Sequence, residues 1–332
     1  QIQSDEDGSL KVVSPLEDSP AYRAGVQAGD VITHINGNSA KGITLNQAVK
    51  KITGPRGTPG ELTIRRPDLT SRTITLKRDT IKVASVKGWI HRPGGGWDYL
   101  IDPQQKIGYL RVTNFTKTTA ADLRKAVEEM KRGGAQGLIL DLRYNPGGLL
   151  NAATEVVDSF LTEGTIVSTR ADRRTPNQAT VARAEKDDDE IELPVVILIN
   201  QYSASASEIV SGALKDHKRA IVVGDRTFGK GSVQMLFRLD DGKAYLKLTT
   251  SHYYLPNGKC IHREENSQEW GVDPDVKVEM TPEQMRAAID ARQEFDVLRY
   301  DGETAVDATT RPADPATQAA KKDPLSSDAQ LS

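Results

Sequence analysis

Three short stretches of the chain carry residue types that could do chemistry together. The first is Asn200-Gln-Tyr-Ser203-Ala-Ser205-Ala206-Ser207-Glu208, between an apolar run and a segment of helical pattern. A residue there lies at the C-terminal end of a strand, where open α/β sheets commonly bind ligands. It also lies at a helix N-terminus, where backbone N–H groups and the dipole favour developing negative charge. A serine so placed can attack a carbonyl, with a neighbouring amide as oxyanion donor. Taken alone, the stretch fits plain helix capping better, because serine is a preferred N-cap.

The second stretch is Asp225-Arg-Thr-Phe-Gly229-Lys230-Gly231-Ser232-Val-Gln234. Gly224 followed by Gly229-Lys230 matches most of a phosphate-binding loop. Gly231, however, stands where Ser or Thr should meet magnesium, and the residues after it read as strand, which argues against nucleotide binding. A lysine held between glycines can instead be a general base, provided that desolvation or nearby positive charge keeps its amine neutral. An ordinary surface lysine in a turn is the alternative. The third stretch is Asp141-Leu-Arg143-Tyr-Asn145-Pro146-Gly147-Gly148-Leu149-Leu150. Asn-Pro-Gly-Gly makes a tight turn with exposed amides, which suits a second oxyanion donor or simply a glycine-rich βα loop.

The elements that must position these stretches are legible from periodicity. Runs at 106–112, 137–140, 193–199 and 220–223 read as strands, those at 137–140 and 193–199 apolar, and helices are read at 119–132, 149–161 and 207–215. Strands apolar on both faces, alternating with helices, predict a mainly parallel sheet covered by helices. Residues 235–239 and 244–250 flank Asp241-Gly242 and read as a β-hairpin. Upstream, 31–35 ends in Asn36-Gly37, 44–52 has helical spacing, and 62–64 and 73–76 alternate as strands. The α/β chain therefore reads as a small β-rich module over 1–86 and a main body over 87–280. A short helical segment over 281–300 and a disordered tail or linker over 301–332 complete it.

Composition narrows the function classes. With 44 basic and 46 acidic residues the net charge is −2, which lacks the broad basic surface of nucleic-acid binders. Aromatics are only 5%, a poor basis for stacking on single strands. No apolar run approaches the roughly 18 residues of a membrane span. A single cysteine, Cys260, leaves neither an internal disulfide framework nor a multi-cysteine metal site.

Taken in order, Asn145-Pro-Gly-Gly148, Ser203-Ala-Ser-Ala-Ser-Glu208 and Thr227-Phe-Gly-Lys-Gly231 resemble the carboxyl-terminal processing peptidases, or tail-specific proteases, over roughly residues 8–280. Ser19-Pro-Ala-x-x-Ala-Gly25, Gly29-Asp30 and Ile35-Asn-Gly37 are similar to the signature of that family's PDZ domain. The resemblance implies a peptidase core behind a PDZ-like domain and a Ser–Lys dyad. It places the nucleophile on Ser205, the base on Lys230 and an orienting residue on Gln234. It also implies an oxyanion hole from the amides of Ala206 and of Gly147 or Gly148. No metal or other cofactor is implied. Partners would be protein or peptide substrates with unstructured C-termini, with an adaptor protein and a homo-oligomer held open and no nucleic acid. Most such bacterial enzymes work in the periplasm or on the extracytoplasmic side of a membrane, so a leader is expected to have been removed. The carboxylate-holding loop of a PDZ domain would precede Gln1, and the chain reads as trimmed at both ends. A non-catalytic peptide-binding or scaffold protein on the same fold is the alternative, against which an intact Ser205, Lys230 and Gln234 argue.

Overall fold

The computed structural model describes residues 1–5, 7–92, 95–171, 180–186, 190–239, 242, 244–298, 328 and 330–331. The chain divides into two compact units. The first takes Gln1–Ala84, Ile90–Asp98 and the described residues of Arg286–Ser327; the second takes Ser85–Trp89, Tyr99–Met285 and the described residues of Asp328–Ser332. The units interleave along the sequence, where periodicity suggested single cuts near residues 86 and 280. Residues 90–98 join the first unit through contacts distant in sequence. The strands Ile90–His91 and Trp97–Asp98 pair, and the Gly96 amide donates to Glu17 Oε1 at 2.8 Å.

The first unit is a six-stranded sheet with the helix Leu45–Ile52. Thr44 and Gln47 cap that helix reciprocally, at 3.3 and 2.9 Å, satisfying two amides that its first turn leaves without partners. Asn36 and Gly37 both take positive φ, +51° and +74°, as the tight turn after Val31–Ile35 requires. Leu10, Ile32, Ile35 and Ile64 fill the core. Leu298 N donates to Ser14 Oγ at 3.0 Å, adding a late part of the chain to this unit.

The second unit is built on a seven-stranded sheet. Its strands Ile107–Val112, Gly137–Asp141, Val195–Ile199 and Ala220–Gly224 run parallel in that spatial order. Helices Thr119–Arg132, Leu150–Asp158 and Ala206–Asp216 lie on the intervening connections. Leu110, Leu140, Ile197 and Val222 are register partners on one face and, with Ile199, have no exposed surface; on the other face Tyr109 and Leu198 are buried, Ile139 and Val196 half-buried and Ile221 exposed, so one face is fully covered and the other only in part. A four-stranded antiparallel sheet carries the expected hairpin as Ser232–Leu239 paired with Ala244–Tyr254.

The helix expected near 281–300 runs from Pro282 to Phe295. Of the expected tail, 301–327 lies outside the described residues. Asp328 departs from a solvated tail: it is 5% exposed, and its Oδ1 accepts from Arg143 Nη1 at 2.7 Å. Composition reports a lack of large apolar residues, not a carboxylate with a buried guanidinium to meet.

Leu140→Ala, in the centre of the parallel sheet, should cost about 2–5 kcal/mol in urea denaturation. Ile221→Ala, one strand position from Ala220 but 55% exposed, should lie within about 0.5 kcal/mol of wild type. Equal losses would show that the face carrying Ile221 is covered as fully as the face carrying Leu140.

Candidate active site

The three chemical stretches leave the C-terminal ends of three neighbouring parallel strands. Asp141–Gly148 follows the strand Gly137–Asp141, Asn200–Ser205 follows Val195–Ile199, and Asp225–Gly231 follows Ala220–Gly224. Register pairs such as Asp141 with Leu198 and Ile199 with Gly224 bring the strand ends level.

Ser205 sits immediately before the helix Ala206–Asp216 with φ +57° and ψ −113°. A non-glycine residue there is strained, by about 1–3 kcal/mol, and persists only when its surroundings impose it. Its neighbours are spent on structure. Ser203 Oγ donates to Leu142 O at 2.9 Å and accepts from Asn200 N at 3.0 Å; Ser207 Oγ donates to Asn145 O at 2.9 Å. Ser203 and Ser207 are fully buried, whereas Ser205 is partly exposed. Of the three serines, it alone is open to a substrate.

The turn after Asp141 is built against this serine. Asn145 is fully buried, donates through Nδ2 to Val112 O at 2.8 Å, and accepts through its own carbonyl from Ala204 N at 3.0 Å. Gly147 has φ +101°, and a Cβ there would lie 2.7 Å from Ala204 O, 2.8 Å from Ser205 Cβ and 3.0 Å from Ala206 N. Only glycine allows that approach. Gly148, at φ +152°, meets Phe115 so closely that a Cβ would fall 2.2 Å from its carbonyl oxygen. The two glycines differ in what their amides do. Gly147 N donates to Asn145 Oδ1 at 2.9 Å, while among the described residues the amides of Gly148 and Ala206 have no hydrogen-bond acceptor. Between the two glycines, the amide without an acceptor among the described residues is that of Gly148.

Lys230 departs from the sequence expectation. A lysine base was expected to be desolvated or set near positive charge; its side chain is exposed, and among the described residues its amine makes no hydrogen bond or ion pair, with Ser205 or with any carboxylate. The reason is that its backbone, not its amine, is anchored. Lys230 N donates to Glu208 Oε2 at 2.8 Å, and the glycines on either side are pinned. A Cβ on Gly229 would meet Arg263 and Trp270 at 2.7 Å, and one on Gly231 would meet His262 N at 2.5 Å. Gln234 is also exposed and stands at a register shift of the strand Ser232–Leu239, beside Val233. Because Gly231 runs straight into that strand, no helix N-terminus stands behind Lys230.

The residue that joins serine and lysine is one that sequence reasoning did not single out. Glu208 is fully buried. Its Oε2 accepts the amides of Ser205 at 2.7 Å and Lys230 at 2.8 Å; its Oε1 accepts the Thr227 hydroxyl at 2.6 Å and the Gly229 amide at 2.7 Å. Burial pushes this carboxyl above the ordinary carboxylate range, against the opposing pull of the hydroxyl and the three amides. The signal was present: Ser205-x-x-Glu208 before an apolar run is a capping-box pattern. Nothing local, however, announces that the same carboxylate reaches the lysine loop.

The model of peptidase family S41 matches residues 106–278, and that of the PDZ domain matches residues 11–66. The chain belongs to peptidase family S41. It is 44% identical over 279 residues to the carboxy-terminal-processing protease of Bartonella bacilliformis, a match that covers 82% of this chain and 59% of that one. It is 35% identical over 276 residues to the carboxy-terminal processing protease CtpA of Bacillus subtilis, covering 83% and 54%. The chain thus spans between half and three-fifths of the length of these relatives. A solved structure named "Putative S41 protease" from Bacteroides fragilis shares the fold, with a TM-score of 0.53 at 19% identity over 84% of this chain and 74% of that one.

Glu208→Gln removes one acceptor oxygen and strands two of the four donors, so it should cost about 2 kcal/mol or more at pH 7 in urea denaturation. The pH dependence has a definite sign. With its folded pKa above the unfolded one, Glu208 keeps its proton longer in the folded state, so its contribution to stability falls as pH rises through that window. The glutamine variant should lack this slope. A variant as stable as wild type, with the slope unchanged, would remove Glu208 from its place between the two loops.

Proposed function

We propose that the protein is a serine endopeptidase that cleaves proteins near or from their C-termini, with Ser205 as nucleophile and Lys230 as base. The observation that carries this reading is the strained, partly exposed Ser205, packed against Gly147 and bound through Glu208 to the backbone of Lys230. Neutral Lys230 takes the proton of Ser205 Oγ as that oxygen attacks the scissile carbonyl. The oxyanion is met by the amides of Ala206 and Gly148. The lysine then gives its proton to the leaving amine, and the acyl-enzyme is hydrolysed by water with the same lysine as base. An amine is a base only when neutral, a form that desolvation favours. A peptide laid over the exposed Lys230 side chain supplies that desolvation and turns the chain of four carbons toward Ser205. Gln234 orients the amine once it has turned.

The first unit is proposed to recognise the substrate. PDZ domains add a peptide strand to a sheet edge and place its apolar side chains beside a helix. Ile2–Ser4 is such an edge strand, and Leu45 and Val49 of the neighbouring helix are 39% and 42% exposed. A cleft of about 260 Å³ lined by Ile2, Val12, Leu16, Ile52 and Leu76 lies in the same unit. Protein or peptide C-termini of apolar character are the partners this chemistry fits. A periplasmic or extracytoplasmic setting is proposed with it, on the family resemblance.

Labelling by a fluorophosphonate, together with hydrolysis of a chromogenic peptide, tests the dyad. Ser205→Ala should lose both, and Lys230→Arg should lose hydrolysis as fully as Lys230→Ala, by at least about a thousandfold. Activity lost in Ser203→Ala but kept in Ser205→Ala would reassign the nucleophile; substantial activity in Lys230→Arg would remove the lysine as base. The recognition role is checked separately. Val49→Arg should weaken binding of an apolar C-terminal peptide about tenfold or more in calorimetry, while hydrolysis of a short chromogenic peptide stays within twofold. Unchanged peptide binding would move the recognition site elsewhere.

A further inference from the structure

Two residues far down the chain meet the loop that precedes the candidate oxyanion donors. Arg143 is 2% exposed and Asp141 is fully buried. The guanidinium donates from Nε to Asp141 Oδ1 at 3.0 Å and from Nη2 to Asp141 Oδ2 at 2.8 Å. Its remaining amino group turns to the other end of the sequence: Nη1 donates to Asp328 Oδ1 at 2.7 Å and to Gln330 Oε1 at 3.0 Å. Asp328 is itself 5% exposed. Gln330 then reaches across the strand ends, donating from Nε2 to Val278 O at 2.9 Å. The Val278 amide in turn donates to Gly224 O at 2.8 Å, where the chain leaves the sheet for the lysine loop.

The path of the loop beyond Arg143 depends on where that residue is held. Tyr144 takes φ +63° and donates its amide to Asn200 Oδ1 at 3.1 Å. Asn145 comes next, with its carbonyl on Ala204 and Ser207, and then Gly147 against Ser205. We propose that Asp328 and Gln330 are positioning residues: they complete the partners of Arg143 and so clamp the Asp141–Gly148 loop in register with Ser205 and with the strand end that leads to Lys230. The physical basis is the cost of a buried guanidinium with an unmet donor, which the loop can relieve only by shifting toward another acceptor. A shift of about 1 Å at a catalytic group can cost about a hundredfold in rate. The effect on rate rests on the peptidase reading; the clamp itself does not.

The experiment uses the full-length protein and the variants Asp328→Ala, Asp328→Glu and Gln330→Ala. Hydrogen–deuterium exchange of the 142–149 segment reads the clamp directly, and kcat and KM on a chromogenic peptide read its consequence. Asp328→Ala, which removes the acceptor of Arg143 Nη1, should speed exchange in 142–149 with the first unit's sheet unaffected. It should lower kcat about tenfold with KM within twofold, since the loop acts on the oxyanion and not on substrate docking. Asp328→Glu should recover most of both, and Gln330→Ala should move both in the same direction by less. Exchange and kcat unchanged in Asp328→Ala would overturn the proposal. So would faster exchange throughout the second unit with no recovery in Asp328→Glu, the pattern of a merely structural contact. Should Asp328→Ala fail to fold, Gln330→Ala decides by the same two readouts. If wild type neither hydrolyses peptide nor takes the fluorophosphonate label, the peptidase reading fails and exchange in 142–149 alone judges the clamp.

Discussion

The site depends on one buried carboxylate. Glu208 has lost its water and in exchange accepts four donors, from Ser205, Thr227, Gly229 and Lys230. Removing a carboxylate from water is costly unless hydrogen bonds replace the lost hydration, and charge-assisted bonds are the strong kind. Its place in the first turn of the helix Ala206–Asp216 adds the favourable end of the helix dipole. The same group that closes the helix end therefore fixes the separation of two loops that leave different strands. A neutral residue could cap the helix; it could not also gather three backbone amides and a hydroxyl from two loops.

Around that carboxylate the backbone is held in conformations that it would not choose. Ser205 and Tyr144 are left-handed without being glycine, at φ +57° and +63°. Each gives its amide to a side chain beyond its own turn, Tyr144 to Asn200 just past a strand end and Ser205 to Glu208 in the first turn of the helix. The dry, close-packed sheet beneath them makes such strain sustainable, because the loops cannot relax without opening the core. Flexibility is left to side chains: Lys230 extends into solvent from an immobilised backbone, and rotation about its bonds is fast on the scale of any turnover.

The parallel sheet was legible because its runs at 137–140 and 193–199 are apolar and its helices keep a 3.6-residue period; the Thr119–Arg132 helix falls on the residues its spacing predicted. The three loops were legible as chemistry because small residues, a lysine and a turn stand at strand ends. What sequence did not disclose was the wiring between them. Glu208 reads as a helix cap, and only the fold brings Thr227 and Lys230 to it. Arg143 and Asp328 are 185 residues apart, and Glu17 and Gly96 are 79 apart. Neither pair has any periodic or compositional trace. The exposure of Lys230 was not legible for a related reason: the glycines on either side of it serve the close approach of its backbone to His262 and Trp270 and do not report where its amine lies.

The interleaving of the two units bears on the order in which the chain can fold during synthesis. Domains ordinarily fold as units in the order they emerge, the N-terminal one first. Here the first unit's sheet is complete once residue 77 has appeared, yet the hairpin at 90–98 and the Leu298–Ser14 contact arrive only later, the last after nearly all of the second unit. The second unit has a matching debt, since Arg143 waits for Asp328. Each unit must therefore stand for a time in a partly finished form on the ribosome. The loop after Asp141 takes up its full set of contacts only when the last-made of these segments has been released.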